Sequence, residues 1–153
     1  MTAPRETTVP VLPIGYYAIP DPDNPATMTY WRSTVDSVRM WPAKAWYGPP
    51  KPLKRDAPAD RDERGEWLYA WYERQLAWRL AATTAIEAEP DACLARFAAL
   101  TVRCCGCGRP LTDARSKTLG LGPDCRSGYD EAWLARTYTP LIAEAHAAQL
   151  TTR

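Results

Sequence analysis

The sequence predicts an α+β protein: a small N-terminal antiparallel sheet, a Trp-rich helix, and a zinc knuckle flanked by helices. Three observations predict it. Short aromatic and β-branched runs, separated by proline and aspartate loops, fill residues 14–48. An apolar period of three and four begins near Glu66. Four of the five cysteines fall within residues 103–129, in two glycine-rich turns.

Taken in order, residues 1–13 are polar and broken by Pro4, Pro10 and Pro13, which reads as a flexible tail. Residues 14–19 (Ile-Gly-Tyr-Tyr-Ala-Ile) form the first strand, and Pro20 to Pro25 a loop. Residues 28–33, 37–41 and a short 44–47 supply three more strands. A meander of this size buries too little to stand alone and has to pack on something else. Residues 49–65 read as a proline-rich, then charge-dense linker, in which Lys51, Lys54 and Arg55 are solvated.

From residue 66 to about 87, Leu68, Trp71, Tyr72, Leu76 and Leu80 share one helical face, with Glu73 and Arg74 opposite. That aromatic face suits a core better than a cofactor site. Pro90 interrupts, and residues 91–100 make a second amphipathic helix leading into the cysteines. Beyond them a helix begins near Ser127. Thr139-Pro140 restarts another, with Pro140 at its first position and Leu141, Ile142, Ala145 and Ala148 inward.

The bulk composition excludes several classes. The net charge is +1, so no global field draws the chain to nucleic acid or anionic lipid, and any basic surface is local. No run approaches the roughly 18 apolar residues of a membrane span. The first residues lack the basic start and apolar core of a signal peptide, so a cytoplasmic setting and no membrane partner are expected. In a reducing compartment, five clustered cysteines favour a metal over disulfides.

Cys104-x2-Cys107-Gly-Arg is a knuckle half-site, in which two thiolates converge across a tight turn. Cys125 follows at the end of Gly-Leu-Gly-Pro-Asp-Cys. A structural zinc takes four ligands, and the position where a second Cys-x2-Cys pair would end is Gly128. Cys105, Cys93, His146 and Asp113 are the candidates for the fourth. Residues 101–128 hold five basic residues (Arg103, Arg109, Arg115, Lys117, Arg126) and two acidic ones, a local charge of +3. Arginines on a knuckle rim either meet phosphate or, as Arg109 and Arg126 can, hydrogen-bond thiolates and loop carbonyls.

The run Cys107-Gly-Arg-Pro-Leu-Thr-Asp113, then Ser116, then Gly120-Leu-Gly-Pro-Asp-Cys-Arg126 resembles a zinc-finger-like domain of unknown function widespread in actinobacteria and their phages. The resemblance covers about 25 residues and implies metal binding through the three cysteines and a phage or mobile-element setting. It implies no reaction.

The reading that follows is a non-enzymatic zinc-binding accessory protein that contacts DNA or RNA through the basic rim. The alternative is a protein-interaction module, such as a phage-encoded inhibitor of a host protein, acting through exposed Trp and Tyr. An enzyme would need a cleft uniting Cys125, His146 and a carboxylate.

Overall fold

A computed structural model of the chain describes residues 12–151. Most of the expected tail, residues 1–11, lies outside the described residues; Leu12 is already buried, where Ser33 Oγ donates to its carbonyl at 3.0 Å.

The fold is α+β, a three-stranded antiparallel sheet followed by helices. Strands β1 (Gly15–Pro20), β2 (Met28–Ser33) and β3 (Val38–Met40) follow one another in the sheet in chain order. The register runs from Gly15 opposite Ser33 to Pro20 opposite Met28, then Arg32 opposite Arg39. The fourth strand expected at 44–47 does not form. Pro42 has no N–H to offer a ladder, and a turn closes there, with the Ala45 N–H donating to the Pro42 carbonyl at 2.8 Å. The chain then runs along the next helix, where Trp46 stacks on Trp71 and Trp71 Nε1 donates to the Pro50 carbonyl at 2.6 Å.

That helix, α1 (Arg61–Ala88), starts ahead of the apolar period because Asp60 caps it, accepting from the N–H groups of Asp62 and Glu63. Its buried residues are Trp78, Ala82, Thr83 and Ile86. The face expected inward is largely not. Leu68, Tyr72, Leu76 and Leu80 are 41–54% exposed, and only Trp71 of that set is half-buried. Length explains the difference. Twenty-eight residues of helix extend about 42 Å, whereas a six-residue strand extends about 20 Å, so half of α1 outruns the sheet.

Helix α2 (Pro90–Thr101) is the central element, with Cys93, Leu94, Ala95, Phe97, Ala98 and Ala99 all buried. Tyr16, Tyr30 and Trp41 on one sheet face converge on Phe97 at centroid distances of 5.1–6.1 Å. Trp31 on the other face meets Trp78 of α1 at 5.7 Å. The sheet is thus covered by α2 on one side and by α1 on the other.

Two short helices, α3 (Ala114–Leu119) and α4 (Pro123–Arg126), precede α5 (Glu131–Thr151). The restart expected at Thr139-Pro140 does not occur: α5 is continuous through Pro140, and Thr139 Oγ1 donates to the Thr118 carbonyl at 3.0 Å instead of capping a new helix. Among its described residues Leu134, Tyr138 and Ile142 are buried, one per turn, while Ala148 is exposed. No helix among the described residues is long and apolar enough to cross a membrane.

Candidate metal centre

Helix α2 ends at Val102, which adopts the left-handed conformation at φ 54° and turns the chain into a short hairpin. Arg103 bridges Pro110, the Cys104 N–H donates to the Arg109 carbonyl at 2.8 Å, and the Leu111 N–H to the Val102 carbonyl at 2.9 Å. The hairpin's turn carries Cys104 and Cys107 and closes with the Gly108 N–H donating to the Cys104 carbonyl at 2.7 Å. Gly108 sits at φ +78°, and a Cβ there would stand 2.7 Å from Tyr16 Cζ, so glycine is needed both for the backbone and for the approach to β1.

The second half is built by α3 and α4. The Asp113 carboxylate caps α3 by accepting from the Ser116 N–H at 3.0 Å, Gly120 ends it in the left-handed region, and Pro123 opens α4, which carries Cys125. Gly106 allows the two halves to meet: a Cβ there would come 3.2 Å from Cys125 Sγ.

The sulfurs of Cys104, Cys107 and Cys125 all lie within 4.8 Å of one another. At Zn–S bonds of about 2.3 Å, sulfurs in a tetrahedral site stand about 3.8 Å apart, so this set can hold a metal ion with a small inward adjustment. At Cys104 the electrostatics favour thiolate. Burial pushes the Cys104 thiol up, but N–H groups of Gly122, Cys107 and Gly106 aimed at its sulfur outweigh that and hold it below its ordinary value. Cys125 is pushed up to about 12, by burial and then by its two sulfur neighbours. Three thiols this close resist joint ionisation without a cation among them, which is the charge a bound metal supplies.

None of the four candidates for a further ligand joins the set among the described residues. Cys105 is fully buried, and its backbone ties three segments together: its N–H donates to the Gly120 carbonyl at 3.1 Å and its carbonyl accepts from Tyr16 N–H at 2.8 Å. Cys93 is buried in α2, with Arg96 Nη1 3.6 Å from its sulfur. Asp113 is engaged in its cap. His146 is exposed on α5 and does not line the hollow of about 110 Å³ beside the three cysteines, which Arg109, Pro123 and Asp124 help to form.

The five rim cations divide. Arg103 donates to the Gly108 carbonyl at 3.0 Å and lies over the Trp41 ring. Arg126, its side chain 11% exposed, donates to Ser116 Oγ at 2.7 Å and to the Leu121 carbonyl at 2.9 Å. Ser116 Oγ in turn donates to Asp113 at 2.6 Å, and Arg115 pairs with Glu131, which also lies 3.7 Å from Arg126. This brace locks the second half of the knuckle to α5 and accounts for the Asp, Ser and Arg of the motif. Arg126 thus takes the loop-carbonyl role rather than a free one. Arg109 and Lys117 remain exposed, Arg109 at 3.9 Å from Asp124. Sequence reasoning missed Glu131, which belongs to the brace, and Tyr16, which backs the turn. The Asp-x2-Ser cap spacing at 113–116 is the one local signal of the brace.

Residues 94–130 match a family of unknown function (DUF6011). No curated protein and no solved structure matches the chain. The matched segment spans the end of α2, both halves of the knuckle and the start of the brace, and together with the three gathered cysteines it fits a zinc-finger-like domain of unknown function.

Proposed function

We propose that the chain is a non-enzymatic, zinc-stabilised accessory protein that binds nucleic acid, its knuckle fixing the fold and its rim meeting phosphate. The observation that carries the reading is the convergence of three sulfurs within 4.8 Å on a Cys-x2-Cys turn and a Gly-Pro-x-Cys turn. Soft thiolates in such turns select zinc over oxygen-seeking cations. With Arg103, Arg115 and Arg126 tied down, phosphate falls to Arg109 and Lys117. The phage or mobile-element setting rests on the motif resemblance.

Two measurements test this together. Metal analysis of the purified protein is expected to return one zinc per chain, lost in Cys104→Ser and Cys125→Ser. Titration against DNA and RNA at two salt concentrations is expected to give binding that weakens with salt. A metal-free wild type refutes the zinc reading, and absent or salt-independent binding refutes the nucleic-acid one.

A second reading, a module that docks a host or phage protein, has its own observation: the exposed stripe of Leu68, Tyr69, Tyr72, Leu76 and Leu80 along α1. A pulldown that returns no stoichiometric partner, or one that survives Tyr72→Glu with Leu76→Glu, removes it.

A further inference from the structure

A second concentration of positive charge without acidic partners lies away from the knuckle. Beside β3, the loop that replaces the fourth strand leaves a cleft of about 540 Å³ walled by Arg32, Arg39, Lys44, Lys51 and Arg79. No carboxylate lines it, and among the described residues no ion pair joins any of the five to an acidic side chain. Arg79 is tied to the Val38 carbonyl and lies over the Trp31 ring, which leaves Arg32, Arg39, Lys44 and Lys51; for a chain whose net charge is +1, four such cations around one cleft are a marked local excess.

The sheet register sharpens the point. Arg32 and Arg39 are direct cross-strand partners on β2 and β3, both exposed. Like charges placed opposite one another in a sheet are destabilising, and neither is relieved by a neighbouring acid. An anion held between them converts that repulsion into attraction. The Arg39 and Lys44 side chains make no hydrogen bond or ion pair among the described residues, so both are available to such a ligand.

The remaining wall is aromatic. Trp41 and Trp46 also line the cleft; Trp46 is 39% exposed, backed by Trp71 and covered by Lys51 Nζ at 4.7 Å from its ring centre. Cations that track a backbone, beside an indole whose ring a base can take from a flexible lysine, form the pattern of single-strand binding grooves. A duplex presents its bases stacked inside and reaches such a cleft only through phosphate.

We propose that the cleft between β3, the 41–51 loop and α1 binds single-stranded nucleic acid, with Arg32, Arg39 and Lys44 on its phosphates and Trp46 against a base. This deepens the nucleic-acid reading above and rests on it, but moves the main contact from the knuckle rim to the sheet edge.

The test uses the full zinc-loaded chain and a fluorescein-labelled oligo(dT) 12-mer, its RNA counterpart, a duplex of equal length and a free mononucleotide. Arg39→Glu with Lys44→Glu is compared with Arg109→Glu with Lys117→Glu. The cleft variant is expected to lose at least ten-fold in affinity for the 12-mer, and its salt slope to shrink by about 0.7 for each phosphate contact removed. Its melting temperature is expected to hold or rise, because the carboxylate introduced by Arg39→Glu would face Arg32 across the strands, so a loss of binding is not a loss of fold. The strand is expected to outcompete both duplex and mononucleotide; a mononucleotide that binds as tightly as the 12-mer, or a duplex preferred to it, overturns the single-strand assignment. Loss confined to the rim variant overturns the cleft and leaves the nucleic-acid reading standing. A wild type that binds no oligonucleotide at low salt overturns both.

Discussion

Replacing Gly108 with alanine tests how tightly the knuckle is fastened to the sheet. Two costs add. At φ +78° an L-residue adopts the left-handed region at about 1–2 kcal/mol relative to its preferred backbone. The new methyl would also stand 2.7 Å from Tyr16 Cζ and 2.9 Å from its hydroxyl oxygen. Tyr16 cannot swing clear, because it is 6% exposed and packed against Phe97 and Trp41, so the overpacking cost is about 1–3 kcal/mol. The sum is about 2–5 kcal/mol, and at roughly 2–4 °C per kcal/mol for a chain of this size the central expectation is a melting temperature lower by about 10 °C. The control is the same substitution at Gly65, which lies in α1 with nothing within 4 Å of its would-be Cβ. There alanine is expected to stabilise by about 0.5–1 kcal/mol, because glycine is a poor helix former. Thermal unfolding followed by circular dichroism, in excess zinc, reads both. A Gly108→Ala chain that melts within about 1 °C of wild type would show that the contact between the turn and Tyr16 is not part of the folded protein in solution, and the reasoning fails.

The other predictions concern the metal and the acid limb. A zinc chelator is expected to lower the melting temperature of the wild type with release of one equivalent of metal, and to leave Cys125→Ser unmoved; a wild type indifferent to the chelator contradicts the structural role. Asp113 is held below the usual carboxylate range by the hydroxyl and then the N–H of Ser116, so the folded chain carries fewer protons there than the unfolded one. Its contribution is therefore complete above about pH 4 and is lost as pH falls through the depressed value. In urea titrations the stability gap between wild type and Asp113→Asn is expected to be open at pH 7 and to narrow below pH 4, and a gap that widens in acid refutes the sign.

Much of the local chemistry was legible in residues that act over short distances. Cys104, Cys107, Gly108 and Cys125 announce a knuckle because turn geometry depends on a few neighbouring φ and ψ values, and glycine and proline set those directly. The three strands were legible for a similar reason, since short aromatic runs bounded by proline have few other uses. The inward face of α1 was not. Leu68, Tyr72, Leu76 and Leu80 carry a strong helical period, yet which side of a helix is buried depends on how much sheet there is to cover it, and the sheet ends halfway along. Periodicity reports that a face is apolar, not that a partner within the chain reaches it.

By itself, then, the sequence determined the α+β class, the helix periods and the three-cysteine knuckle, all written in spacings of a few residues. Only the tertiary structure decided which charges are free. Arg126 and Arg115 look like surface cations in the motif but are consumed by Ser116, the Leu121 carbonyl and Glu131, whereas Lys51, which reads as a solvated linker residue, lies over Trp46 in the wall of a basic cleft. The same decision set Arg32 opposite Arg39, partners seven residues apart that become neighbours only once β3 pairs with β2. A charge has a role only in relation to what stands within a few ångströms of it, and those neighbours are fixed by the packing of α1, α2 and α5 around the sheet, not by the order of residues along the chain.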